Sequence, residues 1–531
     1  MQKESVFISA LIAICLILFF FNLGDRALWD IDEGMHAATS KDMVIGGDWV
    51  TPRYNGEKFY DKPPLHNWLV AISFLIFGFT EFAARLPAAL LGLGCVMVTY
   101  LLGRRIYGPA AAFLSALVLA TSAEYFVLSR VVVHDISLAF FITLALALFY
   151  LGYDNKKHRR SLFLLGYGAM GFSVLAKGPV GVLLPVMIIG LFLIIKRQLR
   201  FLKHMHVGWG IIILLAIAAP WYILISLKDP EYVDYFFVKQ NLGNFFSKEV
   251  RHPEPIYYYI PVLMGGMFPW STFLPLALFR GARAHGAVYN DGTLFALIWF
   301  AAVLIFFSTA SSKLGTYILP LLPAAALLVG ALLHDLLSGS SKGLDQGIFY
   351  SYLPLVIIAP LALIYIILFP PVNLKAEAGI ELKWIYGIAA WVVACCFLSL
   401  GLAAKKKYRL FIGSITGTVI TVLVFFLIFL VPSIEPFRSG KNLAKQIDKL
   451  IEPSEDLVFY LKARDTFLFY TDRKAAVLKT PKALKSYMSS DTQVYCIFKM
   501  DDWQDVEILH ETMHIVALEG NKLIVSNKKP D

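Results

Sequence analysis

Residues 136–152 read ISLAFFITLALALFYLG, a run without a single charged side chain. Such a stretch closes its backbone hydrogen bonds within one helix and turns only apolar side chains outward, which is what lipid demands. Its two flanks differ. Arg130, Val131, Val132, Val133, His134 and Asp135 precede it, and the basic group Lys156, Lys157, Arg159 and Arg160 follows it. The segment therefore reads as a membrane span with a chemically mixed end and a purely basic end, and runs like it recur along the chain.

Hydrophobic residues make up 58% of the 531, with a mean hydropathy of +0.65, so most of the chain exceeds what a water-soluble core can use. The fold class is a polytopic α-helical membrane protein. About thirteen spans are expected. They cover Val6–Leu23, Ala83–Gly103, Ala110–Leu128, Ile136–Gly152, Leu162–Ala176, Val180–Ile195, Val207–Leu227, Tyr257–Phe279, Thr293–Ala310, Tyr317–Leu333, Ile348–Phe369, Trp384–Ala404 and Leu410–Val431. No small-residue cleavage site precedes Asp25, so the first run reads as an uncleaved span. Leu65–Phe79 is short for a span and would invert every later loop. It is read as a helix lying in the interface, like Glu33–Val44 before it. The five cysteines show no ligand spacing.

Basic residues orient the chain. With the N-terminus inside, 18 of the 48 Lys and Arg residues fall in short loops on one face, among them Arg104, Arg105, Lys156, Lys157, Lys196, Arg197 and Lys405 to Lys407. That is the positive-inside pattern. The other face receives the loop 24–82, the turn 130–135, Lys177 to Pro179, the stretch 228–256, the turn 311–316 and the tail. The chain divides into a membrane part, 1–434, and a C-terminal part, 435–531. The latter carries 15 basic and 15 acidic residues, so the whole +10 excess belongs to the membrane part. In the tail Leu457–Leu461, Thr466–Tyr470, Val494–Lys499, Ile515–Leu518 and Lys522–Ser526 read as strands, and Lys441–Leu450 and Lys482–Ser489 as helices. This predicts a small extracytoplasmic α/β domain, a lid or docking module by default, with no phosphate loop. Nothing points to nucleic acid.

The chemistry-bearing residues collect on the outer face. Asp32 and Glu33 stand at a helix start, where an N-cap role competes with a catalytic one. Asp61 and Lys62 precede two prolines that stiffen the backbone, although a solvated ion pair has the same look. Asp135 either caps the following span or serves the site. Lys313, with its hydroxyl neighbours, suits a phosphate, while snorkelling toward headgroups is the alternative. Lys177 is a weaker case, since a basic residue commonly ends a span.

An ordered set of motifs is more specific. Trp29-Asp-Ile-Asp-Glu-Gly34, Gly47-Asp-Trp-Val-Thr-Pro52, Asn55-Gly56, Tyr60-Asp-Lys-Pro-Pro64, Phe77-Gly78, Arg85-Leu-Pro87, Arg130 to Asp135, Ala176-Lys-Gly-Pro179, Pro269-Trp270 and Ser312-Lys-Leu-Gly-Thr-Tyr-Ile-Leu-Pro320 follow one another over residues 20 to 330. The set resembles the lipid A aminoarabinose transferases. These are relatives of the protein O-mannosyltransferases among the GT-C glycosyltransferases that use polyprenyl-phosphate sugars. The resemblance implies a catalytic role for Asp32, with Asp135 as a second outer-face aspartate; Glu33, next to Asp32 at the helix start, is the alternative acid by residue type. The resemblance also implies that Lys62 and Tyr317 hold the carrier phosphate, to which Lys313 is suited by its residue type, and that Asp61 falls where the family has a metal-associated Glu, making a divalent metal a candidate cofactor. One departure stands out. The family commonly shows an Arg in the loop that here reads Gln240 to Phe245, so either Arg251 substitutes for it or the phosphate is held with one charge fewer.

A sugar on a polyprenyl phosphate already has a good leaving group, so the demands are stabilising developing phosphate charge and orienting an acceptor. The expected partners are a polyprenyl-phosphate sugar, an acceptor that is lipid A, another envelope glycolipid or a protein, and membrane lipids. The expected place is a bacterial inner membrane with the site outside. A flippase for the same lipids is the rival class, but its charges belong near mid-membrane.

Overall fold

The computed structural model describes residues 2–236, 252–283, 291–339, 343–369, 382–451, 457–463, 465–471, 473–506 and 513–529. Among them eight helices are long and apolar enough to cross a membrane: Glu81–Tyr107, His134–Asp154, Val207–Lys228, Asp291–Thr309, Gly315–Ser338, Leu344–Leu368, Lys383–Ala404 and Tyr408–Arg438. Tyr259–Gly266 and Trp270–Arg283, bent by 117° at their junction, make a ninth if taken as one span. The remaining runs of the expected thirteen are helical but different in kind. Glu4–Phe20, Pro109–Ala120 and Val180–Ile195 are shorter apolar helices, and Arg159–Lys177 carries charge at both ends. Apolar composition does not register the break at Thr121 and Ser122, which separates Pro109–Ala120 from the short helix Ala123–Leu128.

Local signals explain the turns. Thr80 caps the long helix by accepting from the Ala83 amide at 3.2 Å. Gly108, at φ +88°, ends it in a conformation that a side chain would strain, and Pro109 opens the next helix at its first position. The core among the spans is apolar and aromatic, with Trp270, Trp299, Tyr125 and Phe192 fully buried. Large side chains of the late helices, such as Leu361, Tyr365, Trp391 and Leu398, remain exposed. That is how a lipid-facing surface looks.

The two ends of the bundle differ. Ion pairs Arg104–Glu4, Arg105–Asp154, Lys196–Asp291 and Lys406–Asp345 join the basic loops at one end. The loop 24–82 lies at the other. Its helix Leu65–Phe77 has 13 residues, buries Val70 and Phe74, and exposes Ile72, Leu75 and Ile76. This suits an interfacial position.

The C-terminal residues form a five-stranded sheet in the order Ala476–Leu478, Leu457–Tyr460, Tyr495–Lys499, Lys522–Ser526, His514–Glu519. The first three strands are parallel and the last two join antiparallel. Thr466–Tyr470 is not a strand but part of the helix Asp465–Thr471. Its β-favouring residues are overridden by tertiary packing, because Phe467 and Leu468 enter the sheet's core cluster while Phe469 enters the one around Ala37 and Phe74. Cys496 is buried in the strand Tyr495–Lys499, and all five cysteines are free.

Candidate functional site

Three loops converge above the spans. The helix Asp32–Gly46 starts at Asp32 with Ile31 as N-cap and no side-chain capping bond. The carboxyl of Asp32 stays at the surface rather than closing the helix end. Hydration lost to the surrounding chain raises its pKa, and the charge of Asp135 adds to this, while Lys62, Lys177 and His252 oppose. Asp135 stands in the first turn of His134–Asp154. Its Oδ1 lies 2.5 Å from Nζ of Lys177, the last residue of Arg159–Lys177, with both side chains largely buried. The same ammonium sits 4.2 Å from the centre of the Tyr317 ring. Lys62 donates to the carbonyl of Asp61 at 3.2 Å. Burial lowers its pKa, and so does Lys177, against the pull of Asp61, Asp135 and Asp32. Asp32, Lys62, Asp135, Lys177 and Tyr317 thus form one electrostatic group.

Beneath it lies a neutral floor. His36, one turn after Asp32, packs against His134 with ring centres 4.4 Å apart, and His66 lies 5.1 Å from His134. The Nδ1 of His66 is 2.9 Å from the hydroxyl of Ser137. Burial first, and then the neighbouring His66, Lys62 and Lys177, lower the pKa of His36 to about 3. Burial likewise lowers the pKa of His66, to about 4, so His36 and His66 stay uncharged at neutral pH.

Not every expected residue joins the group. Glu33 turns away into the protein, where Arg85 reaches it through Nε at 2.7 Å and Nη2 at 2.9 Å, Arg26 at 3.1 Å, and the Trp29 amide at 2.9 Å. Burial alone pushes its pKa up, but the two guanidiniums outweigh that and hold it at about 2. Arg85 also donates to the carbonyls of Leu23, Arg26 and Ala27, so Glu33 and Arg85 fix the loop that carries Asp32. Lys313 is buried and donates to the Glu254 carbonyl at 2.8 Å, tying two loops together. Asp61 accepts from the Tyr235 hydroxyl at 2.6 Å. Among the described residues no three His, Cys, Asp or Glu side chains are grouped to hold a metal ion. Arg251 and the Gln240–Phe245 loop lie outside the described residues.

The dolichyl-phosphate-mannose-protein mannosyltransferase family model matches residues 61–224. The undecaprenyl phosphate-alpha-4-amino-4-deoxy-L-arabinose arabinosyl transferase of Pseudomonas aeruginosa is 30% identical over 406 residues, covering 72% of each chain. The chain belongs to this transferase family. The enzyme of the same description from Shewanella sediminis is 28% identical over 498 residues, 88% of this chain and 87% of its own. Among solved structures, that of ArnT from Cupriavidus metallidurans bound to undecaprenyl phosphate superposes with a TM-score of 0.80 at 24% identity, covering 98% of both chains. The protein is a GT-C membrane glycosyltransferase. In this transferase the charged group lies at the end of the bundle opposite the ion-paired basic loops.

Proposed function

We propose that this transferase moves a monosaccharide from undecaprenyl phosphate to lipid A at the outer face of a bacterial inner membrane. Its N-terminus lies in the cytoplasm, and residues 435–531 form an extracytoplasmic domain. The observation that carries the reading is the Lys177 ammonium held between Asp135 and Tyr317, beside Lys62 and Asp32, at the mouth of an apolar bundle. A lipid phosphate needs cations at a lipid surface, and an acceptor needs an acid or base beside them.

In this reading Lys62, Lys177 and Tyr317 receive the carrier phosphate. Asp135 keeps Lys177 charged and aimed. The acceptor oxygen bonds to the anomeric carbon as the bond from that carbon to the phosphate oxygen breaks, and the phosphate leaves with the electron pair. Asp32, whose raised pKa suits it to take a proton, orients the acceptor and accepts its hydrogen. An acceptor that is itself a phosphate needs less of this help. The neutral histidine floor leaves the two lysines as the cations of the described group. Support for the undecaprenyl-phosphate carrier comes from the relatives of that description, and lipid A is the acceptor that the ordered motifs imply by resemblance.

The test is mass spectrometry of lipid A and of envelope glycoproteins from cells with and without the protein, followed by transfer with purified enzyme and an undecaprenyl-phosphate sugar. Loss of a glycan from proteins with lipid A unchanged would replace the acceptor, in line with the mannosyltransferase family model that matches residues 61–224. No change in either would reject the transferase reading of the site.

A further inference from the structure

The C-terminal helix Asp465–Thr471 grips the segment around Asp32 from both sides. Ahead of Asp32, the Leu28 amide donates to the Tyr470 hydroxyl at 2.9 Å, and Asp30 is held twice. Its amide donates to the Arg438 carbonyl at 2.7 Å, and its Oδ1 accepts from the Thr466 amide at 2.8 Å. Behind Asp32, Gly34 packs so closely that a Cβ would come within 2.6 Å of the Thr466 nitrogen and 2.9 Å of the Asp465 carbonyl carbon. One turn and more beyond, the Lys41 ammonium donates to the Phe469 carbonyl at 2.8 Å.

The gripping helix is itself anchored. Thr466 Oγ1 accepts from the Gly440 amide at 2.9 Å, and Lys522, buried, donates to the carbonyls of Phe437 and Ser439 and reaches to 3.8 Å from Asp30. The Tyr470 hydroxyl donates to Glu81, at the start of the long helix that carries Arg85. Tyr54 donates to Asp465, and Asn55 exchanges hydrogen bonds with the backbone of Ala475. The contacts fall on residues two before and two after the proposed base, where a displacement moves its carboxyl directly.

We infer that the tail helix is a positioning element of the transfer reaction: through Asp30 and Gly34 it sets the placement of Asp32, and turnover depends on the tail being docked. The inference rests on the proposed role of Asp32. An ordinary docking contact affects melting and yield, whereas a positioning contact affects kcat while the donor site, built by Lys62, Lys177 and Tyr317, is left intact.

The test uses the full-length enzyme. Asp30→Ala removes the oxygen that the Thr466 amide donates to, and Asp30→Asn keeps an acceptor there. Asp30→Ala is expected to lower kcat by about tenfold to a hundredfold, the cost of misplacing a reacting group, with KM for the lipid-linked donor unchanged. Hydrogen exchange should quicken at the amides of residues 465–471 but not in His134–Asp154, and Asp30→Asn should restore both rate and protection. A wild-type kcat in Asp30→Ala overturns the inference, as does a fallen kcat with residues 465–471 still protected. Should Asp30→Ala not fold, Gly34→Ala places one methyl between the same two helices and carries the test on the same two readouts. Failure of the wild-type enzyme to use any polyprenyl-phosphate sugar would instead defeat the transferase reading, so the two failures are distinguishable.

Discussion

Replacing Lys177 by Met keeps the length of the side chain and deletes its charge. In the native arrangement that charge lies 2.5 Å from Asp135, with the two side chains only 11% and 14% exposed, and it rests on the face of Tyr317. A hydrogen bond to a charged group is worth about 1.5–3 kcal/mol, which corresponds to a loss of roughly tenfold to 150-fold in kcat/KM if the phosphate uses this ammonium. A second consequence concerns pH. Lys62 has its pKa lowered by burial and, next, by Lys177, so transfer that needs a charged Lys62 declines as pH rises through that lowered value. Without Lys177 the repulsion is gone, the pKa of Lys62 rises, and the alkaline limb of the rate profile moves to higher pH. Lys177→Arg keeps the charge and should leave the limb near its native place. The assay is initial-rate transfer from an undecaprenyl-phosphate sugar by the purified enzyme at fixed ionic strength across neutral to alkaline pH. Native kcat/KM in Lys177→Met, or an alkaline limb that stays put, would refute the shared-phosphate reasoning.

Other expectations follow from the same geometry. Asp32→Asn should fold normally and lose at least about a hundredfold in transfer, the low end of what a placed acid or base contributes, and a variant that keeps its turnover moves the base to Asp135. Glu33→Gln should act on stability first, by about 3–5 kcal/mol, since it leaves Arg26 and Arg85 buried without their counter-charge; thermal melting of the detergent-purified protein reads this. Because the folded pKa of Glu33 is depressed to about 2, its stabilisation is present above the ordinary value of 4.5 and is lost as pH falls from there through about 2, which acid melting curves of wild type and variant will show converging. All five native cysteines are buried, so single cysteines at the exposed positions 482 and 156 report topology cleanly: Lys482→Cys should react from outside only and Lys156→Cys only after the membrane is opened.

Much of the fold was legible because hydropathy and the basic loops report the solvent each residue meets. The ion pairs of Arg104, Arg105, Lys196 and Lys406 gather at one end the loops that the charge pattern had grouped. The number of spans was not legible in the same way, since an apolar run does not show where its helix bends or stops, as it does at Thr121 or at the 117° junction before Trp270. In the tail, Thr466–Tyr470 has the composition of a strand, and only its seat against Gly34 and the sheet core makes it a helix. The ordered motifs name Asp32, Lys62, Asp135 and Tyr317, and the structure brings them into one charged group. Lys177 was underrated, because a lysine at the end of a span is ordinarily an anchor and sequence does not show that its ammonium meets Asp135. Glu33 could be told from Asp32 only through its partners. Arg85, a charge just inside an apolar run, was the available clue that a buried acid must lie opposite.

The contacts of Asp30 also impose an order on manufacture. Its side chain accepts from Thr466, 436 positions further along the chain, and the neighbouring Lys41 waits for Phe469. A ribosome therefore completes the eight helices that are long and apolar enough to cross a membrane among the described residues before it makes the residues that finish the segment around Asp32. Until residues 465–471 have been made, that segment keeps water as its partner. A ribosome that stalls before residue 465 leaves an inserted protein whose Asp32 segment is still unsupported.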